Sequence, residues 1–191
     1  MVPGAGIEAG LPPAAVSQLT TGRQELHPLR QQRDHVDLVI PRGGEELKQY
    51  LVENSRIPVI YAAGGNCHVY VDAAADLEKA LRIVINAKCQ RPGVCNAAET
   101  LLVHRDVAAA FLPQVIGELS RRGVELVVDK TTADVVADPS LKRANKAHYE
   151  TEFLRLKMAI RTVESLDEAI EHVTTYGTGH SEAIITEDIA A

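Results

Sequence analysis

Lys88-Cys89-Gln90-Arg91-Pro92-Gly93-Val94-Cys95-Asn96 joins two segments of different period. Before it, Leu77, Leu81, Val84 and Ile85 recur at helical spacing across residues 76–87. After it, Thr100-Leu101-Leu102-Val103-His104 is a short apolar run of strand type. A helix that turns briefly into a buried strand is half of a βαβ unit, the building block of α/β folds with parallel sheets. Pro92 fixes its own φ, and Gly93 allows a positive φ or a close backbone approach. Cys95 follows that turn, on a constrained connection of the kind on which scaffolds mount reactive groups. A short helix starting there would lower the pKa of the thiol through its terminal N–H groups, and the thiolate is the nucleophile. Against this stands the habit of free cysteine to pack as a small buried hydrophobe.

The same alternation extends in both directions. Residues 36–40 read as a buried strand, 45–54 as a helix with Leu47, Tyr50 and Leu51 on one face, and 57–60 as a second strand with Pro58 at its edge or start. Residues 68–72 form a third strand. Downstream, a helix over 107–121 is capped by Asp106, and residues 124–128 and 158–163 read as strands. Ser165-Leu166-Asp167-Glu168 is a capping box opening a helix over 166–175. Residues 176–180 are a loop, and 182–186 a closing strand. The spacing predicts an α/β protein with a mostly parallel sheet. Residues 1–35 hold no core-forming run and the last strand ends near the C-terminus, a pattern expected of the middle of a longer protein.

At 191 residues the chain can bury a sizeable core. Its net charge of −6 argues against broad binding to nucleic acid or to anionic membranes. No apolar run has the length of a membrane span, and the N-terminus lacks the regions of a signal peptide. Cys67, Cys89 and Cys95 form no even disulfide framework, which suits a reducing cytoplasm. Their spacing matches neither a zinc site nor a C-x-x-C redox motif, so no metal is expected. Cys67 and His68 are adjacent on a strand, so their side chains should part to opposite faces rather than act as a pair.

Pro41-Arg42-Gly43-Gly44-Glu45-Glu46 leads into a helix. Free N–H groups and the helix dipole suit an anion there, with Arg42 adding charge and Gly43 and Gly44 permitting close approach. A plain turn would look the same.

Gln90-Arg91-Pro92-Gly93-Val94-Cys95-Asn96-Ala97-Ala98-Glu99-Thr100-Leu101-Leu102-Val103-His104 closely resembles the active-site segment of the γ-glutamyl phosphate reductase (glutamate-5-semialdehyde dehydrogenase) family, within the aldehyde dehydrogenase superfamily. The resemblance runs from about residue 7 to 189. It implies a three-layer α/β/α fold of aldehyde dehydrogenase type, incomplete at both ends. Residues 1–61 would end a nucleotide-binding domain, and 62–191 would supply most of a catalytic domain. It further implies Cys95 as nucleophile, backbone N–H groups at Cys95 and Asn96 as oxyanion donors, and Arg42, Gly43 and Gly44 facing an NADPH/NADP cofactor. By the same resemblance Glu152 holds ribose hydroxyls and His180-Ser181 lies near the substrate. Hydrolytic relatives carry a base where this chain has Ala62, so a thioester here would survive for phosphate or hydride. Cys89 stands where the family often has threonine, and Leu154-Arg155-Leu156 departs from the superfamily pattern. The implied activity is NADPH-dependent reduction of L-glutamyl 5-phosphate to L-glutamate 5-semialdehyde in proline biosynthesis, with a homo-oligomer compatible with the sequence. Two alternatives stay open: a non-catalytic module that acts by assembling with other chains, and an aldehyde dehydrogenase with another substrate.

Overall fold

The structure, a computed structural model, describes residues 6–12, 15–17, 26–60 and 64–191. The chain divides into two compact units, Met1–Tyr61 and Ala62–Ala191. Ala62 itself lies outside the described residues.

In the first unit a short helical turn, Leu26–Leu29, precedes α1, Glu45–Asn54. The strands expected at 36–40 and 57–60 shrink to one parallel bridge between Val39 and Val59. The Val39 N–H donates to the Pro58 carbonyl at 2.9 Å, and the Ile60 N–H to the Val39 carbonyl at 3.0 Å. Leu38, Ile40 and Ile60 stay exposed on either side of it. With no further strand joined to this pair among the described residues, it has little to propagate it.

The second unit is a six-stranded sheet in the order β4-β3-β5-β2-β1-β6. Its strands are β1 (Cys67–Val71), β2 (Ala98–His104), β3 (Glu125–Val128), β4 (Lys142–Arg143), β5 (Lys157–Val163) and β6 (Glu182–Ile185), and every pairing is parallel. The helices are α2 (Leu77–Cys89), α3 (Arg105–Arg121), α4 (Lys130–Val136), α5 (Lys146–Tyr149) and α6 (Leu166–Tyr176). On one face Ala80 and Val84 of α2 and Phe111, Leu112 and Val115 of α3 pack on Val69, Leu101, Val103 and Ile160. On the other, Ala169 of α6 meets Tyr70, Leu102 and Val163, and Tyr149 of α5 meets Val127 and Ala159. This is the mostly parallel α/β sheet that the alternation predicted, in the three-layer α/β/α arrangement that the resemblance implied. Because both faces are covered, β1, β2 and β5 read as near-continuous apolar runs.

The helix ends refine the sequence reading. Asp76 caps α2 by accepting from the Lys79 N–H at 3.0 Å. The next helix begins earlier than expected: His104 is its N-cap, its Nδ1 accepting from the Asp106 N–H at 3.2 Å, and Asp106 falls in the first turn. Ser165 caps α6, but the Glu168 carboxylate reaches back to the Glu164 N–H at 2.7 Å, one residue further out than a capping box. Residues 130–149 carry no apolar run, so α4, β4 and α5 have no periodic signal in the sequence. Asp129 organises that stretch by accepting from the N–H groups of Thr131, Thr132 and Thr162.

Beneath α6 lies a buried ring cluster. The His172 ring is 5.3 Å from His68, 4.9 Å from Tyr149 and 4.7 Å from Tyr176, centroid to centroid. Arg161 donates to its Nδ1 at 2.8 Å. Burial first, then the proximity of His68 and Arg161, pushes its pKa down to about 3. In the unfolded chain the value returns to roughly 6.5. The unfolded state therefore binds a proton that the folded state refuses between those two values. The stability tied to neutral His172 is fully present above about pH 6.5 and is lost as pH falls toward 3. His172→Phe should flatten the loss of unfolding free energy between pH 6.5 and 4, followed by urea titration. An unchanged slope would show that His172 titrates normally in the fold.

Candidate active site

Loop 90–97 leaves α2 and enters β2 as consecutive turns, with the Val94 N–H on the Arg91 carbonyl at 3.4 Å and the Ala97 N–H on the Val94 carbonyl at 3.0 Å. No helix starts at Cys95, contrary to the expectation; the residue is exposed on a turn that runs straight into the strand. Any activation of its thiol must come from elsewhere than a helix N-terminus.

The base of the loop is closed by a charged pair. Lys88 Nζ donates to Glu99 Oε2 at 2.7 Å, with both side chains fully buried. Burial pushes the Lys88 ammonium down and the Glu99 carboxyl up, and the hydrogen bond between them works the other way in each. The second carboxylate oxygen accepts from the Leu154 N–H at 3.1 Å, which ties in the 152–156 segment. Leu154 holds a left-handed φ of 52°, a conformation that a leucine keeps only when its surroundings enforce it.

A second clamp comes from the segment before β1. Gly65 is buried against the Cys95 backbone: a Cβ there would fall 1.4 Å from the Cys95 carbonyl oxygen. Glu152 Oε1 accepts from the Gly65 N–H at 2.6 Å, and Asn66 donates to the carbonyls of Tyr149 and Tyr176, each at 2.7 Å. Cys67 and His68 do part to opposite faces. The Cys67 thiol donates to the Cys95 carbonyl at 3.2 Å, whereas the His68 ring turns to His172 and its Nδ1 lies 3.0 Å from the accepting Glu182 carboxylate. His180 Nδ1 is 2.9 Å from Ser181 Oγ and 4.0 Å from Cys67 Sγ. A cavity of about 140 Å³ lies under the loop, with Cys67, Asn96, Ser181 and Glu182 among its lining.

The structure thus gathers Cys95, Asn96, Glu152, His180 and Ser181 around the start of β1. Arg42, Gly43 and Gly44 belong to the first unit. Gly44 is the N-cap of α1 and offers no side-chain cap, while its carbonyl accepts from the Leu47 N–H at 3.1 Å. Cys89 is half-buried, packed against the core that α2 covers, and burial raises its thiol, consistent with no chemical role. Among the described residues, no three His, Cys, Asp or Glu side chains converge as a metal site would need. Sequence reasoning missed Gly65, Cys67 and the Lys88–Glu99 pair as parts of the site. The pair had a signal: a lysine in line with Leu81 and Val84 on the apolar side of a helix, and a glutamate opening an apolar strand.

Residues 5–151 match the aldehyde dehydrogenase family. The chain belongs to that family. It is 52% identical over 169 residues to a γ-glutamyl phosphate reductase of Kosmotoga olearia, covering 88% of this chain and 40% of the relative. It is 48% identical over 182 residues to the enzyme of the same name from Heliobacterium modesticaldum, covering 95% of this chain and 43% of the relative. The chain therefore spans less than half the length of these curated relatives. Among solved structures, the γ-glutamyl phosphate reductase of Thermotoga maritima superposes with a TM-score of 0.89 at 43% identity, over 99% of this chain and 45% of that one. A propionaldehyde dehydrogenase from Clostridium phytofermentans superposes at 0.73 with 19% identity, a likeness of fold alone. Among the described residues no helix is long and apolar enough to cross a membrane.

Proposed function

We propose that this chain carries the thiol site of an NADPH-dependent reductase that converts L-glutamyl 5-phosphate to L-glutamate 5-semialdehyde, releasing phosphate, in the cytoplasmic synthesis of proline. The observation that carries the reading is Cys95 itself: an exposed thiol on a loop held from below by Gly65, Cys67 and the Lys88–Glu99 pair. The names of its relatives supply the substrate.

The Cys95 thiolate attacks the acyl carbon, a carbon–sulfur bond forms, and the carbon–oxygen bond to phosphate breaks with phosphate leaving as the anion. A negative charge develops on the acyl oxygen as the carbon becomes tetrahedral. Backbone N–H groups at Cys95 and Asn96 are suited to receive it, because no carbonyl among the described residues accepts from either. A bound NADPH would supply the hydride that reduces the acyl carbon, and Cys95 would leave as thiolate when the aldehyde forms.

The residues fit such a cofactor in two places. Glu152 uses one oxygen on Gly65 and keeps acceptor capacity for vicinal hydroxyls. Exposed Arg42 and the uncapped start of α1 at Gly43 and Gly44 suit a phosphate group. Ser181, in the cavity beneath Asn96, and neighbouring His180 are the side chains we assign to the substrate. An alanine at position 62 offers no base for thioester hydrolysis, which favours phosphate release and reduction over aldehyde oxidation to an acid.

The test is NADP reduction by the semialdehyde, run with and without inorganic phosphate. Turnover should require phosphate, and Cys95→Ala should lower it by about 10⁴-fold or more, the scale seen on losing a nucleophile. Phosphate-independent turnover, or turnover that survives Cys95→Ala, would sink the assignment.

A further inference from the structure

We propose that Cys67 is a positioning residue of the Cys95 site: its buried S–H holds the Cys95 carbonyl inward and thereby turns the Asn96 N–H outward as an oxyanion donor. The inference rests on the acyl-phosphate reading above and gives Cys67, there only a support of the loop, a specific role in orienting an oxyanion donor.

The geometry follows from one peptide plane. Among the described residues no peptide bond is cis, so the C=O of Cys95 and the N–H of Asn96 point in opposite directions from a shared plane. The Cys95 oxygen faces the protein. It occupies the space of the side chain that Gly65 lacks, 1.4 Å from where a Cβ would stand, and Cys67 Sγ lies 3.2 Å from it. With that oxygen held on the inner side, the Asn96 N–H can only face outward, toward the side on which Cys95 is exposed. Its N–H meets no carbonyl acceptor among the described residues.

Cys67 is equipped to donate and not to react. It is buried, and burial first, then the charge of Glu182, pushes its thiol up to about 11. It therefore keeps its proton at neutral pH and remains a donor. His180 Nδ1, the competing acceptor, is further away at 4.0 Å and is engaged with Ser181 Oγ at 2.9 Å. The same contact joins the 180–182 loop to the Cys95 loop through a single sulfur.

The experiment separates oxyanion stabilisation from thiol access. Acetyl phosphate is the acylating probe, and acetylation of Cys95 is followed by peptide mass spectrometry on the native chain, Cys67→Ser, Cys67→Ala and Cys67→Val. Iodoacetamide alkylation of Cys95 is measured beside it, because displacement at a saturated carbon develops no oxyanion. Cys67→Ala should slow acetylation about tenfold while alkylation stays within about twofold, between the effect of a lost neutral hydrogen bond and that of a lost oxyanion donor. Cys67→Ser, whose hydroxyl still donates, should restore most of the rate. Cys67→Val, close to cysteine in volume and without a donor, decides the case if the alanine variant does not fold. Equal acetylation in all four chains overturns the proposal, as does a parallel fall in alkylation, or a serine variant no faster than valine. A native chain that alkylates at Cys95 but never acetylates there overturns the acyl-phosphate reading itself, a result distinct from the rest.

Discussion

Gly65→Ala is expected to disable the Cys95 site more thoroughly than any other single methyl group added to this chain. The new carbon would stand 1.4 Å from the Cys95 carbonyl oxygen, 2.3 Å from its carbonyl carbon and 2.8 Å from its Cα. All three are backbone atoms, so no side chain can swing away to make room. Either the 90–97 loop or the segment before β1 must retreat by about 2 Å to reach ordinary contact, near 3.5–4 Å between heavy atoms. A displacement of about 1 Å at reacting groups is enough to cost roughly 100-fold in rate. Cys95 acetylation by acetyl phosphate should fall by at least that factor. Overpacking should also cost about 1–3 kcal/mol of stability in urea titration. Gly64→Ala is the control, because its added carbon would meet only the Glu152 carboxylate end, at 2.8 Å, which can rotate. If Gly65→Ala kept the native acetylation rate, the contact would not be holding the loop.

Lys88→Met should be the most destabilising change outside the apolar core. It strands the Glu99 carboxylate in a site with no exposure, and removing one partner of a buried ion pair costs about 3–5 kcal/mol. Glu99→Gln should be of similar size, since it leaves the Lys88 ammonium without its counter-charge while Leu154 can still donate to the amide oxygen. The double variant Lys88→Met/Glu99→Leu should recover much of the loss, because two apolar side chains of similar length avoid burying charge at all. Urea unfolding of native, Lys88→Met, Glu99→Leu and the double variant closes the cycle, with Glu99→Gln measured beside it. Single variants within about 0.5 kcal/mol of native, or a double variant no better than the sum of the singles, would mean that the pair is hydrated and not buried.

The layered fold was legible because its apolar runs are long and their period is clear. Residues 76–87, 100–104 and 158–163 sit in α2, β2 and β5 as their spacing predicts. Where the reading failed, tertiary partners decided. Residues 36–40 have strand composition yet form one bridge, since composition does not provide a neighbouring strand. The exposed pair Lys142–Arg143 joins the sheet with no apolar signal, held beside β3 by backbone pairing and by Arg143 donating to the Asp129 and Lys130 carbonyls. At the site, the reactive residue was legible and its supports were not. Cys95 stands out beside Pro92 and Gly93, but the need for glycine at 65 arises from a loop thirty positions later in the sequence folding onto it. The sequence excludes Cys67 from pairing with His68; only the geometry reveals that it packs against the Cys95 carbonyl.

The buried Lys88–Glu99 pair also sets how the thiol loop fluctuates. Opening the base of the loop would expose or strand two charges at once, so the amides flanking it should exchange with deuterium only through global unfolding, while those at the tip around Gly93 exchange freely. The reactive thiol therefore has no private melting transition. On heating, its chemistry should persist until the domain cooperatively unfolds and then vanish with it, with no partly disarmed species in between.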